Sequence, residues 1–207
     1  MEVTQPRVYL DMDGLLANLF DTLAHRFYGD RDYKELSLEE KKKMKFIWSD
    51  KEVFDEHFGS VKELFANLEP FGPGGELSNA VVDTVVDMFG EYRILSHPTD
   101  IDREGCIEGK KQWIRTYLNQ QPVEMNFPQN KSTFAVSDLG KSNILVDDFP
   151  PYIKGWLGAG GYPIQMRTDS FNNTADVKKF LAGELEKAKQ SLATESRFDR
   201  SINFYLL

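Results

Sequence analysis

Cysteine is almost missing: Cys106 is the single thiol in 207 residues. That excludes an internal disulfide framework and any cysteine-built zinc site, and it suits a reducing compartment. The expected fate of Cys106 is that of a small, semi-buried apolar residue. Basic residues are in the minority, 25 Lys and Arg against 33 Asp and Glu, for a formal charge of −8. A protein whose main task is to lie along a nucleic-acid backbone needs the opposite balance, because that affinity comes from cations displacing counterions. A small anion held in a local pocket is still permitted. No stretch approaches the ~20 apolar residues of a membrane span, and the start MEVTQPRVYL lacks a basic segment followed by a long apolar run. A cytoplasmic protein is expected, with no membrane partner and no extended nucleic-acid binding.

What is there is enough to fold. With 41% hydrophobic and 13% aromatic residues the chain can bury a core, and its length fits one domain or one domain with an insert. Short apolar runs at 8–10, 93–95, 134–136, 144–146 and 164–166 read as buried strands. Between them, 76–89 and 176–192 place apolar residues at three- and four-residue spacing, as amphipathic helices do. Alternating strand and helix predicts an α/β fold, a Rossmann-like parallel sheet with helices on both faces and ligands beyond the carboxyl ends of its strands. From 19 to 70 no strand is evident, only helical segments rich in aromatics, and PFGPGG at 70–75 reads as a return loop. The expected organisation is an α/β core from 1–18 and 71–207 with a small helical cap, 19–70, inserted after the first strand. The run EEKKKMK at 39–45 reads as a solvated helix face.

Three strand ends carry the chemistry. The first, YLDMDGLLAN, ends an apolar strand in Asp11 and Asp13, two residues apart and therefore on one side of an extended chain, followed by Gly14, which permits a sharp turn. Two carboxylates so close call for a hard cation such as Mg²⁺, although Asp-x-Asp-Gly also serves as an ordinary turn and helix cap. The second, RILSHPTD, ends in Ser96 and His97 before a proline turn, where a hydroxyl and free N–H groups can hold a phosphoryl oxygen or simply shape the turn. The third, NILVDDFPP, ends in Asp147 and Asp148, a second dose of negative charge for the same sheet edge.

Taken in order, these segments resemble the haloacid dehalogenase-like phosphatase superfamily from Val8 to about Met166, and within it the 5′(3′)-deoxyribonucleotidases and their bacterial and phage relatives. DMDGLLAN, LEPFGPGGEL, the Lys110-x-x-Trp113 spacing and ILVDDFPPYIKGWLGAGGYPI carry the likeness. It implies a Mg²⁺-dependent phosphatase acting on deoxyribonucleoside monophosphates through an aspartyl-phosphate. Asp11 would be the nucleophile and Asp13 the general acid and base. Asp148 would bind the metal directly beside Asp11 and the Asp13 carbonyl, with Asp147 ligating through water or orienting a lysine. Ser96 matches the phosphate-binding hydroxyl, and Lys131 best matches the phosphate lysine. Lys110 and Lys141 are rivals whose ordinary fate is a solvated surface. His97 stands where the family commonly has a small residue; it either reaches phosphate or sugar or faces water.

The cap would close over a nucleobase. Phe20, Trp48 and Phe65 are candidates for stacking on it, alongside Leu19, where several relatives carry an aromatic, and Lys110. Other open readings are the same chemistry on another small phosphomonoester or on a nucleic-acid 3′-phosphate end, phosphotransfer to an alcohol, and a nucleotide-binding regulator without turnover. The resemblance places the chain in the cytoplasm, the host's if it is phage-encoded. The apolar tail end INFYLL would dock on the core or pair two copies into a homodimer.

Overall fold

The computed structural model of the protein describes residues 5–47 and 51–202, with side chains outside 45–47 and 195–202. Trp48 and the end of the INFYLL tail lie outside the described residues. Five parallel strands form one sheet in the order β3-β2-β1-β4-β5: β1 is Val8–Leu10, β2 Arg93–Leu95, β3 Glu124–Asn126, β4 Ile144–Asp147 and β5 Tyr162–Gln165. The α/β class and parallel sheet expected from the alternating pattern are therefore what the chain adopts.

Side chains alternate across a strand, so the central strands β1, β2 and β4 feed two cores. Val8, Leu10, Ile94, Ile144, Val146 and Ile164 face the larger one. It is completed by α5 (Glu76–Phe89), α6 (Arg103–Tyr117) and α8 (Thr174–Ile202). Tyr9, Leu95 and Leu145 face the other, closed by Trp156 of α7 (Pro150–Gly158). Cys106 is fully buried in the first core, where desolvation pushes its thiol up to about 11.

Two strand expectations need correction. Residues 134–136 are not a strand: Lys131–Phe134 is a turn of 3-10 helix, and Val136 makes only an isolated bridge to Ser142. The last strand begins two residues earlier than the apolar run indicated, because Tyr162 and Pro163 pair with Ile144 and Leu145.

Among the described residues, four α-helices lie between β1 and the return loop, α1 (Leu19–Tyr28), α2 (Leu38–Ile47), α3 (Lys51–Phe58) and α4 (Val61–Ala66). Asn18 and Ser60 cap α1 and α4, each side chain accepting a backbone N–H three residues on. The insert leaves and rejoins the sheet at one neck. There Ala17 bridges Pro70 in antiparallel fashion and the Asn18 N–H donates to the Glu69 carbonyl at 2.7 Å. Ser78 ties the return loop to Leu16, donating to its carbonyl at 2.6 Å, and the Trp113 indole donates to Leu68 O at 2.8 Å. Leu23, Phe54, Leu64 and Phe65 of these helices belong to the same buried cluster as β1. Among the described residues, no helix is long and apolar enough to cross a membrane.

Candidate active site

The strand order reverses between β1 and β4, and at such a switch point the loops leaving neighbouring strands diverge and open a crevice. Asp11 follows β1 directly, Asp147 closes β4, and the Asp11 N–H donates to Val146 O at 3.0 Å, locking the two strand ends together. Oxygens of Asp11, Asp147 and Asp148 lie within 4.8 Å of one another. Ser96 arrives on the other side of β1, just after β2.

The turn after Asp11 closes on itself. The Gly14 N–H donates to Ala17 O, and the Leu16 and Ala17 N–H groups both donate to Met12 O, each at 2.8 Å. Gly14 has φ of +84°, and a Cβ there would overlap the Asp148 carboxylate, so the backbone approaches that acid as closely as only glycine permits.

Two buried lysines organise the acids. Lys131 Nζ donates to Asp147 Oδ2 at 2.7 Å and lies 2.8 Å from Asp11 Oδ1, an ion pair without hydrogen-bond alignment. Burial alone would lower its pKa, but Asp11 and Asp147 outweigh that and raise it, so it is held as a cation. The other Asp147 oxygen accepts the Phe149 N–H at 2.9 Å, so this acid is committed to orienting the lysine and its own loop. Lys110 is fully buried and donates to Asp13 Oδ2 at 2.6 Å, Ser96 Oγ at 2.7 Å and the His97 carbonyl at 3.0 Å, with its ammonium 5.0 Å from the Phe65 ring. With its oxygen accepting from Lys110, the Ser96 hydroxyl keeps its own proton for an anion.

The acids outnumber the lysines four to two at this edge. Desolvation first, then Asp11, pushes Asp147 up to about 7; Asp148 is pushed up to about 7 by burial, then by Asp11 and Asp147. Asp13 is raised by burial against the pull of Lys110. Among the described residues, Asp11 Oδ1 and Asp13 Oδ1 are shielded from solvent with no hydrogen-bond partner. Converging oxygens of Asp11, Asp147 and Asp148 with an excess of negative charge are what a divalent cation with oxygen ligands satisfies, so the residues fit such an ion.

The structure thus gathers Asp11, Asp13, Ser96, Lys110, Lys131, Asp147 and Asp148. Lys141 does not join them. It is exposed at the amino-terminal end of β4, beside a cavity of about 590 Å³ also lined by Arg7, Arg93 and Asp138. The expectation of a solvated surface fails for Lys110, because α6 aims it inward to meet Asp13. His97 does not stand free in water; it is half-buried, its Nδ1 shielded and without a partner among the described residues. Leu19 and Phe65, expected against a base, are packed in the core at 8% and 1% exposure and present no free face. Phe20 is 44% exposed and leans on Tyr33 at 5.0 Å. Sequence reasoning missed Tyr152, whose ring centroid lies 4.3 Å from Lys131 Nζ. The available signal was its place in the first turn of a proline-started helix directly after the second acidic pair.

No protein-family model matches the chain, and no curated protein matches it. Among solved structures, a hydrolase from Streptococcus pneumoniae TIGR4 aligns over 86% of this chain and 99% of its own at 13% identity, with a TM-score of 0.45.

Proposed function

We propose that this protein is a Mg²⁺-assisted phosphomonoesterase of the haloacid dehalogenase-like type that removes the phosphate from deoxyribonucleoside monophosphates. One observation carries the reading: a buried carboxylate, Asp11, ion-paired to Lys131 at 2.8 Å, sits with a hydroxyl and a second, separately held carboxylate at the switch point of a parallel sheet. That is the inventory needed to attack phosphorus, neutralise its oxygens and move a proton.

Asp11 attacks phosphorus and the ester P–O bond breaks, giving an aspartyl-phosphate and a sugar alkoxide that takes a proton from Asp13. Asp13, now a carboxylate steadied by Lys110, accepts a proton from water as that water attacks the phosphoryl group, which releases inorganic phosphate and frees Asp11. Lys131 and Ser96 bind the phosphoryl oxygens. A bound Mg²⁺, held by Asp11, Asp148 and the Asp13 carbonyl, supplies charge neutralisation that lets an anionic nucleophile meet an anionic ester. Burial of Asp13 favours the protonated form that donation to the leaving oxygen requires. The formal charge of −8 favours a mononucleotide over a nucleic-acid end as substrate.

The test is phosphate release from a panel of nucleoside and deoxynucleoside monophosphates with Mg²⁺ or with EDTA. Mg²⁺-dependent release that Asp11→Asn lowers by at least about 10³-fold is expected. Release unaffected by EDTA, or retained by Asp11→Asn, overturns the reading.

A further inference from the structure

An aromatic cluster reaches the nucleophile from the loop and helix that follow β4. Tyr152 covers the Lys131 ammonium at 4.3 Å, and that ammonium is 2.8 Å from Asp11. Phe149 meets Tyr152 edge to face at 5.2 Å, and the His97 ring centroid lies 6.3 Å from Tyr152 on the β2 side. The three rings therefore form a strip beside the acidic cluster, from the end of β2 to the end of β4.

Phe149 is 49% exposed directly after the Asp147–Asp148 pair. A lone exposed ring needs no explanation, but this one is held in place. Its N–H is bound to Asp147, and the two residues after it are Pro150 and Pro151, the fixed-φ start of α7. A ring whose backbone is already ordered loses little freedom when a flat partner lands on it. In the insert, by contrast, Leu19 and Phe65 are sealed, and Phe20, though exposed, has its ring contact with Tyr33 and none with Lys131 or the acids among the described residues.

We propose that Phe149, backed by Tyr152, is the platform on which the nucleobase stacks, so that the α/β core, rather than the helical insert, recognises the base. This rests on the phosphatase reading for its ligand: phosphate at Lys131 and Ser96, a pentose as spacer, and a planar heterocycle on the ring of Phe149. Stacking of a base on an aromatic ring is tolerant of base identity, so the platform separates nucleotides from simple sugar phosphates more strongly than one base from another.

Titration calorimetry of the full chain with Mg²⁺, turnover silenced by Asp11→Asn, compares a deoxynucleoside 5′-monophosphate with deoxyribose 5-phosphate. The nucleotide is expected to bind more tightly. Phe149→Ala is expected to cut that preference about tenfold, and Phe149→Trp to keep it. An unchanged preference in Phe149→Ala, or binding of neither ligand, overturns the platform. So does self-association of the wild type that Phe149→Ala abolishes while the preference stands, which would assign the ring to a second copy of the chain. Phosphate release by the unmutated chain is scored separately. Base-dependent binding without release sinks the phosphatase and leaves the platform, whereas release with no effect of Phe149 does the reverse.

Discussion

A hydrogen atom in place of a side chain at position 14 lets the β1 turn lie against Asp148. Gly14→Ala forces both a left-handed backbone and an overlap with that carboxylate. The expected outcome is a loss of about 1–3 kcal/mol in urea unfolding and a larger proportional loss of Mg²⁺ affinity, since the displaced acid is a proposed ligand. Unchanged metal binding would mean that Asp148 is not held by this contact. Single residues were the most legible scale in the sequence. Asp11, Asp13, Ser96, Asp147 and Asp148 were readable because each terminates or directly follows an apolar run, and a strand end fixes where its next side chains go. Lys131 was readable only through likeness. Lys110 was named as a rival phosphate lysine, but its contact with Asp13 was hidden, since a lysine on an amphipathic helix says nothing by itself about which acid lies across the crevice.

Among the elements, α4 and α6 cross closely enough that a Cβ on Gly109 would meet the backbone of Lys62 and Ala66. Gly109→Ala would gain about 1 kcal/mol of helix propensity, yet the overlap is with backbone that cannot swing away. A net loss of about 1–3 kcal/mol is expected in thermal or urea unfolding, and Lys110, the next residue, should lose its grip on Asp13. At the neck, His25 of α1 contacts Glu69 at 3.1 Å through Nδ1 and Asp32 at 3.2 Å through Nε2. Both partners only accept, so both ring nitrogens donate when the imidazole is charged. The Glu69 hydrogen bond, against some desolvation and with help from Asp32 and Asp21, raises the His25 pKa. This stabilisation is complete below the ordinary histidine range and fades as pH climbs through the raised value. His25→Gln should therefore lower Tm more at pH 5.5 than at pH 8.5; equal losses would contradict the pairing. Elements were legible where periodicity was strong, as in α5. The edge strand β3, with the sequence Glu-Met-Asn, carries no apolar run, because an edge needs little burial, and it went unread.

At the scale of the whole molecule, four acids and two lysines share one edge of the sheet. With Asp147 and Asp148 raised to about 7, the native chain binds protons that the unfolded chain releases, so without metal its stability falls as pH rises from about 4 towards 7. Mg²⁺ should compete with those protons. The rise in Tm on adding Mg²⁺ is expected to be larger at pH 8 than at pH 5, and the reverse order would place the ion elsewhere. This balance could not be read from the net charge, which averages over the whole chain, including acids such as Glu40 that are individually compensated, here by Arg31.

The pairing of β1 with β4 also sets a schedule. Its two halves are synthesised more than a hundred residues apart, so an emerging polypeptide carries Asp11 from the outset but lacks Asp147 and Asp148 until β4 has been made and has slotted in beside β1. On the phosphatase reading, every truncation that stops before that point is expected to be inert, so the onset of turnover would double as a report that β4 has paired with β1.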